Sequence, residues 1–113
     1  MKTAAEILAF QDRVYLTVDC PEWVTSIRIG CMTVALKEAW SAETRALVES
    51  DSALAAALLI VHTAVDGEGK PLFTREQAAQ LRDKSAVVIE RLGEAAFKVN
   101  KLRRIDLDEA IKN

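Results

Sequence analysis

Nine consecutive apolar residues, Ala53 to Val61, constrain this chain more than any other feature. The run is under half of the roughly 20 residues that cross a bilayer, so it belongs inside a protein core. Its alanines and leucines favour helix. A helix that is apolar around its whole circumference has to be surrounded by the rest of the fold. The segment 52–65 is therefore expected to be the most buried element. The chain has 113 residues, enough for a single domain over 1–113. A chain of that length buries roughly 65% of its unfolded surface and needs no staples to hold a core.

Upstream of that helix the hydrophobic period is two. Val14, Leu16 and Val18 share one face, and Tyr15 and Thr17 the other. Asp19-Cys20-Pro21-Glu22 reads as a turn, because Pro21 fixes its own φ and biases Cys20 towards extended backbone. Ile27, Ile29 and Cys31 then alternate again, which predicts a β-hairpin over about 14–31. Two strands alone are marginal in water, so the hairpin must lie on helices or pair with another chain. An open strand edge is also a ready docking rail. Ahead of the hairpin, residues 1–12 read as a short helix or an arm, with Ile7, Leu8 and Phe10 as apolar groups to bury.

From Thr33 the period becomes 3.6. Thr33 suits an N-cap, and Leu36, Ala39, Trp40 and Leu47 form a stripe on a helix over about 33–49. Ser50-Asp51-Ser52 stops it and caps the next helix. Asp66-Gly67-Glu68-Gly69-Lys70-Pro71 is a loop. Thr74-Arg75-Glu76-Gln77 has the form of a capping box and starts a helix over about 74–82. Ser85 caps another over about 85–101, and Asp106 a last one over about 106–112. The fold class is mainly α with a minor β part: about five helices with an N-terminal hairpin.

The residues that could carry chemistry are few. Two cysteines, Cys20 and Cys31, and one histidine, His62, fall short of a zinc site. The thiols read as small buried hydrophobes of a reducing compartment. Counting Asp66 as the first position of a calcium loop puts Lys70, Pro71 and Gln77 where an oxygen donor, a glycine and a glutamate belong, so the segment is a plain turn. No phosphate cradle and no nucleophile elbow is present. His62 lacks a local partner for general-base work and reads as a structural histidine. Glu90, Arg91, Glu94 and Lys98 read as a solvated helix face. With 15 basic and 17 acidic residues the net charge is −2, which argues against a nucleic-acid binder. The one basic cluster, Lys98, Lys101, Arg103 and Arg104, also suits the dipole at a helix C-terminus. No catalytic, cofactor-binding or metal-binding residue is identified, and no membrane contact is expected. The first residues carry no apolar signal segment, so a cytoplasmic location is expected. Large apolar residues in connecting segments, Trp23 and Phe73, either seal the core or anchor a partner.

The segment Asp66-Gly67-Glu68-Gly69-Lys70-Pro71-Leu72-Phe73-Thr74, with its continuation through Lys84-Ser85, Val88 to Leu92, Glu94-Ala95-Ala96 and Val99-Asn100, resembles the tail assembly chaperones of long-tailed bacteriophages and prophages. There an acidic, glycine-containing turn leads to a Pro-Leu-Phe-Thr box and a helix pair ending near an asparagine. Cys20-Pro21-Glu22-Trp23 is similar to that family's Val-Pro-Glu-Trp-like turn, and Thr33 falls at its usual helix start. Ala35-Leu36-Lys37 departs from the Glu-Arg common after that start. The resemblance covers most of Val14 to Asn100.

It implies a protein that is not an enzyme and takes no cofactor. Such a chaperone self-associates into a ring or spiral and binds the tape measure protein in the bacterial host cytoplasm while tail tube subunits polymerise. The tail tube protein is a further partner, and the chaperone is absent from the finished virion. Self-assembly is assigned to the hairpin and its turn, through Pro21, Trp23, Ile27 and Ile29, and to Leu72 and Phe73 of the box. Two readings compete with it. A small adaptor or DNA-binding regulator would depend on Arg103 and Arg104, and an enzyme would need His62 in a pocket beside an acid.

Overall fold

The computed structural model describes residues 1–47 and 52–102. Five helices and a three-stranded antiparallel sheet make up the described chain. In order they are α1 (Ala4–Ala9), β1 (Tyr15–Cys20), β2 (Thr25–Gly30), α2 (Val34–Arg45), α3 (Ser52–Thr63), β3 (Ala64–Val65), α4 (Ala78–Leu81) and α5 (Ala86–Asn100). Mainly helical architecture with a minor sheet matches the sequence reading. The helix expected over 106–112 lies outside the described residues, as do Arg103 and Arg104.

Local chemistry explains most boundaries. Thr33 accepts the Leu36 N–H on its hydroxyl at 3.2 Å and starts α2. Gln77 reaches back to accept the Thr74 N–H at 2.9 Å, which closes a single 3-10 turn, Arg75–Gln77, ahead of α4. Arg82 to Ser85 separate α4 from α5, and Ser85, expected to cap α5, precedes it without a side-chain cap hydrogen bond. Three boundaries differ from expectation. α2, expected over 33–49, ends at Arg45, and the helix expected over 74–82 is α-helical only over Ala78–Leu81. The helix expected over 52–65 ends at Thr63, and Ala64–Val65 becomes a third strand. Alanine and valine are as apolar in a helix as in a strand. What decides is the neighbour: Val65 pairs with Arg28 and Ala64 with Ile29, so β2 is the middle strand in the order β1-β2-β3. The hairpin thus both lies on helices and gains a third strand.

The core is one connected cluster. From α3 it takes Ala55, Ala57, Leu58, Leu59, Ile60 and Val61. The sheet adds Ile27 and Ile29, α2 adds Trp40, and α5 adds Val88, Leu92 and Ala96. α3 is the most buried element, as its all-round apolarity requires. The buried hydroxyls of Thr44 and Thr63 donate to helix carbonyls four residues back, at 3.0 Å to Trp40 and 2.7 Å to Leu59, so neither is left unpaired. Cys20 is fully buried and Cys31 half-buried, both as free thiols. No described helix is long and apolar enough to cross a membrane.

Candidate functional site

The sheet presents its two faces and two edges differently. Leu16, Val18, Ile27 and Ile29 point into the core. On the opposite face Tyr15 lies across Gly30, with the Arg28 guanidinium 4.4 Å and that of Arg13 5.4 Å from its ring centre. A side chain on Gly30 would stand 2.8 Å from the Tyr15 ring, which is why glycine occupies that position. The loop after β3 closes one edge. Asp66 Oδ1 accepts the N–H groups of Glu68 and Lys70 at 2.8 and 3.0 Å, Gly69 takes φ +84°, and the Leu72 N–H returns to the Ala64 carbonyl at 3.0 Å. Those backbone bonds from Lys70 and Glu68 hold the Asp66 carboxyl below its ordinary pKa. The segment is the plain turn its sequence indicates.

Among the described residues the other edge stays open. The Cys31 N–H bonds the Val14 carbonyl, and the register then alternates, so Leu16 and Val18 bond β2 while Tyr15, Thr17 and Asp19 turn their backbone groups outward. No described strand pairs with that edge. Only its tip is tied down, where Arg91 on α5 donates to the Asp19 carbonyl at 3.3 Å and to both Glu22 oxygens at 2.8 and 2.7 Å. This two-pronged contact pulls the Glu22 carboxyl down to about 2 and raises the already high pKa of Arg91.

The six residues assigned to assembly fall into three settings. Ile27 and Ile29 are core residues, so their side chains are not offered to solvent. Trp23 and Phe73 are half-buried and pack against the core, which makes them seals first. Pro21 and Leu72 are exposed. Pro21 sits at the hairpin tip, in a 3-10 turn spanning Pro21–Trp23. Leu72 pairs with Ala64, which pairs in turn with Ile29, four residues and about 13 Å along β2 from the tip. The two surface groups are therefore separate patches. Sequence reasoning passed over Val24, which caps the tip turn at φ 56°, ψ 40° and is 91% exposed. A β-branched residue in left-handed backbone is strained. No sequence pattern signals it, because a hairpin turn there would favour glycine or asparagine.

His62 has an acid in reach: Glu43 on α2 binds its Nε2 at 2.9 Å. The second Glu43 oxygen accepts from Arg75. Both carboxylate oxygens are thus engaged, and the triad links α2, α3 and the turn before α4. His62 does not line the groove between α3 and α5, where the fold leaves open space. Among the described residues no group of three His, Cys, Asp or Glu could hold a metal ion. Lys98 and Lys101 are exposed at the end of α5.

A three-stranded sheet packed on a buried helix pair, with one edge open, defines the fold. Neither a protein-family model nor a curated protein matches the chain. A solved structure does: the bacteriophage HK97 tail assembly chaperone superposes with a TM-score of 0.60 at 17% identity, over 88% of this chain and 92% of that one. At that identity the likeness is one of fold, and it spans nearly the whole of both chains.

Proposed function

We propose that this chain is a tail assembly chaperone of a long-tailed phage or prophage. In this reading it self-associates, binds the tape measure protein during tail morphogenesis in the host cytoplasm, and is absent from the mature virion. The fold shared with the HK97 chaperone over 88% of the chain carries this reading. The residues behind the sequence resemblance support it, because they occupy the joints of that fold. Asn100 accepts the Met32 N–H at 2.6 Å and donates to the Ala96 carbonyl at 2.9 Å, locking the end of α5 to the chain that leaves β2. Glu22 of the Pro-Glu-Trp turn fastens the hairpin tip to α5 through Arg91.

Such a protein works by binding, not by transforming a substrate. A holdase needs modest contacts repeated many times, and self-association supplies the repetition. The open β1 edge gives a backbone rail for an added strand, and Val24 and Pro21 give apolar contacts at its tip. The test is co-expression with the tape measure protein encoded in the same genome. The long partner is expected to stay soluble and to co-purify with this chain. A partner that precipitates equally with and without it, and never co-purifies, overturns the reading.

A further inference from the structure

Resting on that assembly reading, we propose a specific contact: the N-terminal arm of one copy, residues 1–12, docks in the groove between α3 and α5 of a second copy. The arm is built for a surface that the described residues of its own chain do not supply. Its helix α1 is fully capped: Thr3 accepts the Glu6 N–H at 3.2 Å, and Glu6 accepts the Thr3 N–H at 3.2 Å. Yet none of its residues is buried. Isolated helices shorter than about 12–15 residues are marginal in water, so a six-residue helix needs something to lie against. Ile7, Leu8 and Phe10 are 58%, 85% and 61% exposed on this element. Three large apolar side chains on a short, polar-flanked arm are a docking stripe.

The groove has the complementary form. Its volume is about 480 Å³, with Ala53 and Ala56 on one wall and Ile89, Gly93 and Phe97 on the other. A Cβ on Gly93 would meet nothing within 4 Å, so that wall leaves room for side chains from outside. The rim is charged, with Arg82 and Lys84 ahead of α5 and Glu90 and Glu94 along it. The arm carries Lys2 near one end and Asp12 near the other. Laid with Lys2 towards Glu90 and Glu94, it places Asp12 towards Arg82 and Lys84, so these two charges match the rim in one orientation while Glu6 stays engaged with Thr3.

The occupant comes from another copy because the arm's base is pinned. Arg13 Nε donates to the Cys31 carbonyl at 2.9 Å, on the sheet side of the molecule. Arg91 of α5 faces the sheet, while Ile89 and Gly93 lie two residues away, about 200° round the helix, on its far flank. Phe10 to Asp12 span at most about 10 Å, too little to carry α1 around a helix of similar diameter. A contact between unlike surfaces of successive copies propagates from chain to chain.

Paired cysteines test the contact. Leu8→Cys and Ala56→Cys are introduced together in a Cys31→Ser chain, Cys20 being fully buried. Mild oxidation is expected to give a ladder of covalently linked chains, absent from either single-cysteine variant. An internal disulfide without linked chains, or no disulfide at all, overturns the proposal. Deleting residues 2–12 removes no buried group, so the helical circular dichroism should persist while the mass by light scattering falls to that of one chain. Gly93→Leu, which fills the groove, should have the same effect. Assembly unchanged by the deletion overturns the arm contact and leaves the chaperone reading standing, whereas a full chain that never assembles overturns the latter. If truncation after Leu102 abolishes assembly and deletion of the arm does not, the segment 103–113 is the occupant and the arm is excluded.

Discussion

Val24 concentrates the physical tension of the hairpin. Left-handed backbone costs an L-residue roughly 1–2 kcal/mol, and a β-branched side chain gains nothing back when fully exposed. Val24→Gly is therefore expected to raise the urea midpoint by an amount worth about 1 kcal/mol. A lowered midpoint would show that the valine makes a contact the isolated chain relies on. Glu22, beside it, governs the acid response. The Arg91 hydrogen bonds, then its own backbone N–H, bring its carboxyl from the ordinary 4.5 to about 2 in the folded chain. A carboxyl with a depressed folded pKa stabilises above its unfolded pKa and loses that contribution as pH falls towards the folded one. Stability should thus decline between pH 4.5 and 2, and Glu22→Gln should flatten that part of the curve. The pair is exposed, so the effect shrinks as salt is added. Equal acid limbs in the two proteins would remove Glu22 from the account. The Pro21-Glu22-Trp23 turn was readable from proline chemistry, but neither Arg91, 69 residues away, nor the backbone sign of Val24 has a local signal.

At the scale of elements, the joints matter more than the lengths. Asn100 satisfies the Met32 N–H where the chain leaves β2 for α2. Asn100→Ala leaves that part-buried donor unpaired and is expected to cost about 1–3 kcal/mol in chemical denaturation. A loss below the error of the measurement would mean water replaces the side chain. The β1 edge supports a different kind of prediction. The Thr17 N–H turns away from β2, so proline there removes no ladder bond. Thr17→Pro should keep the fold by circular dichroism and reduce retention of the tape measure protein. Undiminished retention would mean that partner strands do not add at β1. Helix starts at Thr33 and Thr74 were legible because capping is local chemistry, whereas Ser85 precedes α5 without a side-chain cap bond. The end of α3 was not, because Ala64 and Val65 suit either period and only Arg28 and Ile29 settle the choice.

The whole molecule folds around α3. Leu58 is fully buried in the single cluster that joins sheet and helices. Leu58→Ala is expected to cost about 2–5 kcal/mol, the cavity adding to the lost transfer energy. Because that cluster also holds Trp40, tryptophan fluorescence and far-ultraviolet circular dichroism should report coincident transitions in the parent chain. Separate midpoints would show that the hairpin melts independently of the helices. The central position of α3 was visible in nine apolar residues. The position of the assembly surfaces was not, since Ile27 and Ile29 read equally well as contact residues until the sheet was laid on α5.

The amino-acid order alone determined the period switch at Thr33, the caps, the Asp66 turn and the need to bury 53–61, because each depends on residues within a turn or two of one another. Tertiary structure decided that Val65 is a strand residue and, among the described residues, which sheet edge stays open and that the arm has no seat. Those outcomes depend on which distant surfaces meet, and periodicity carries no record of distance in space.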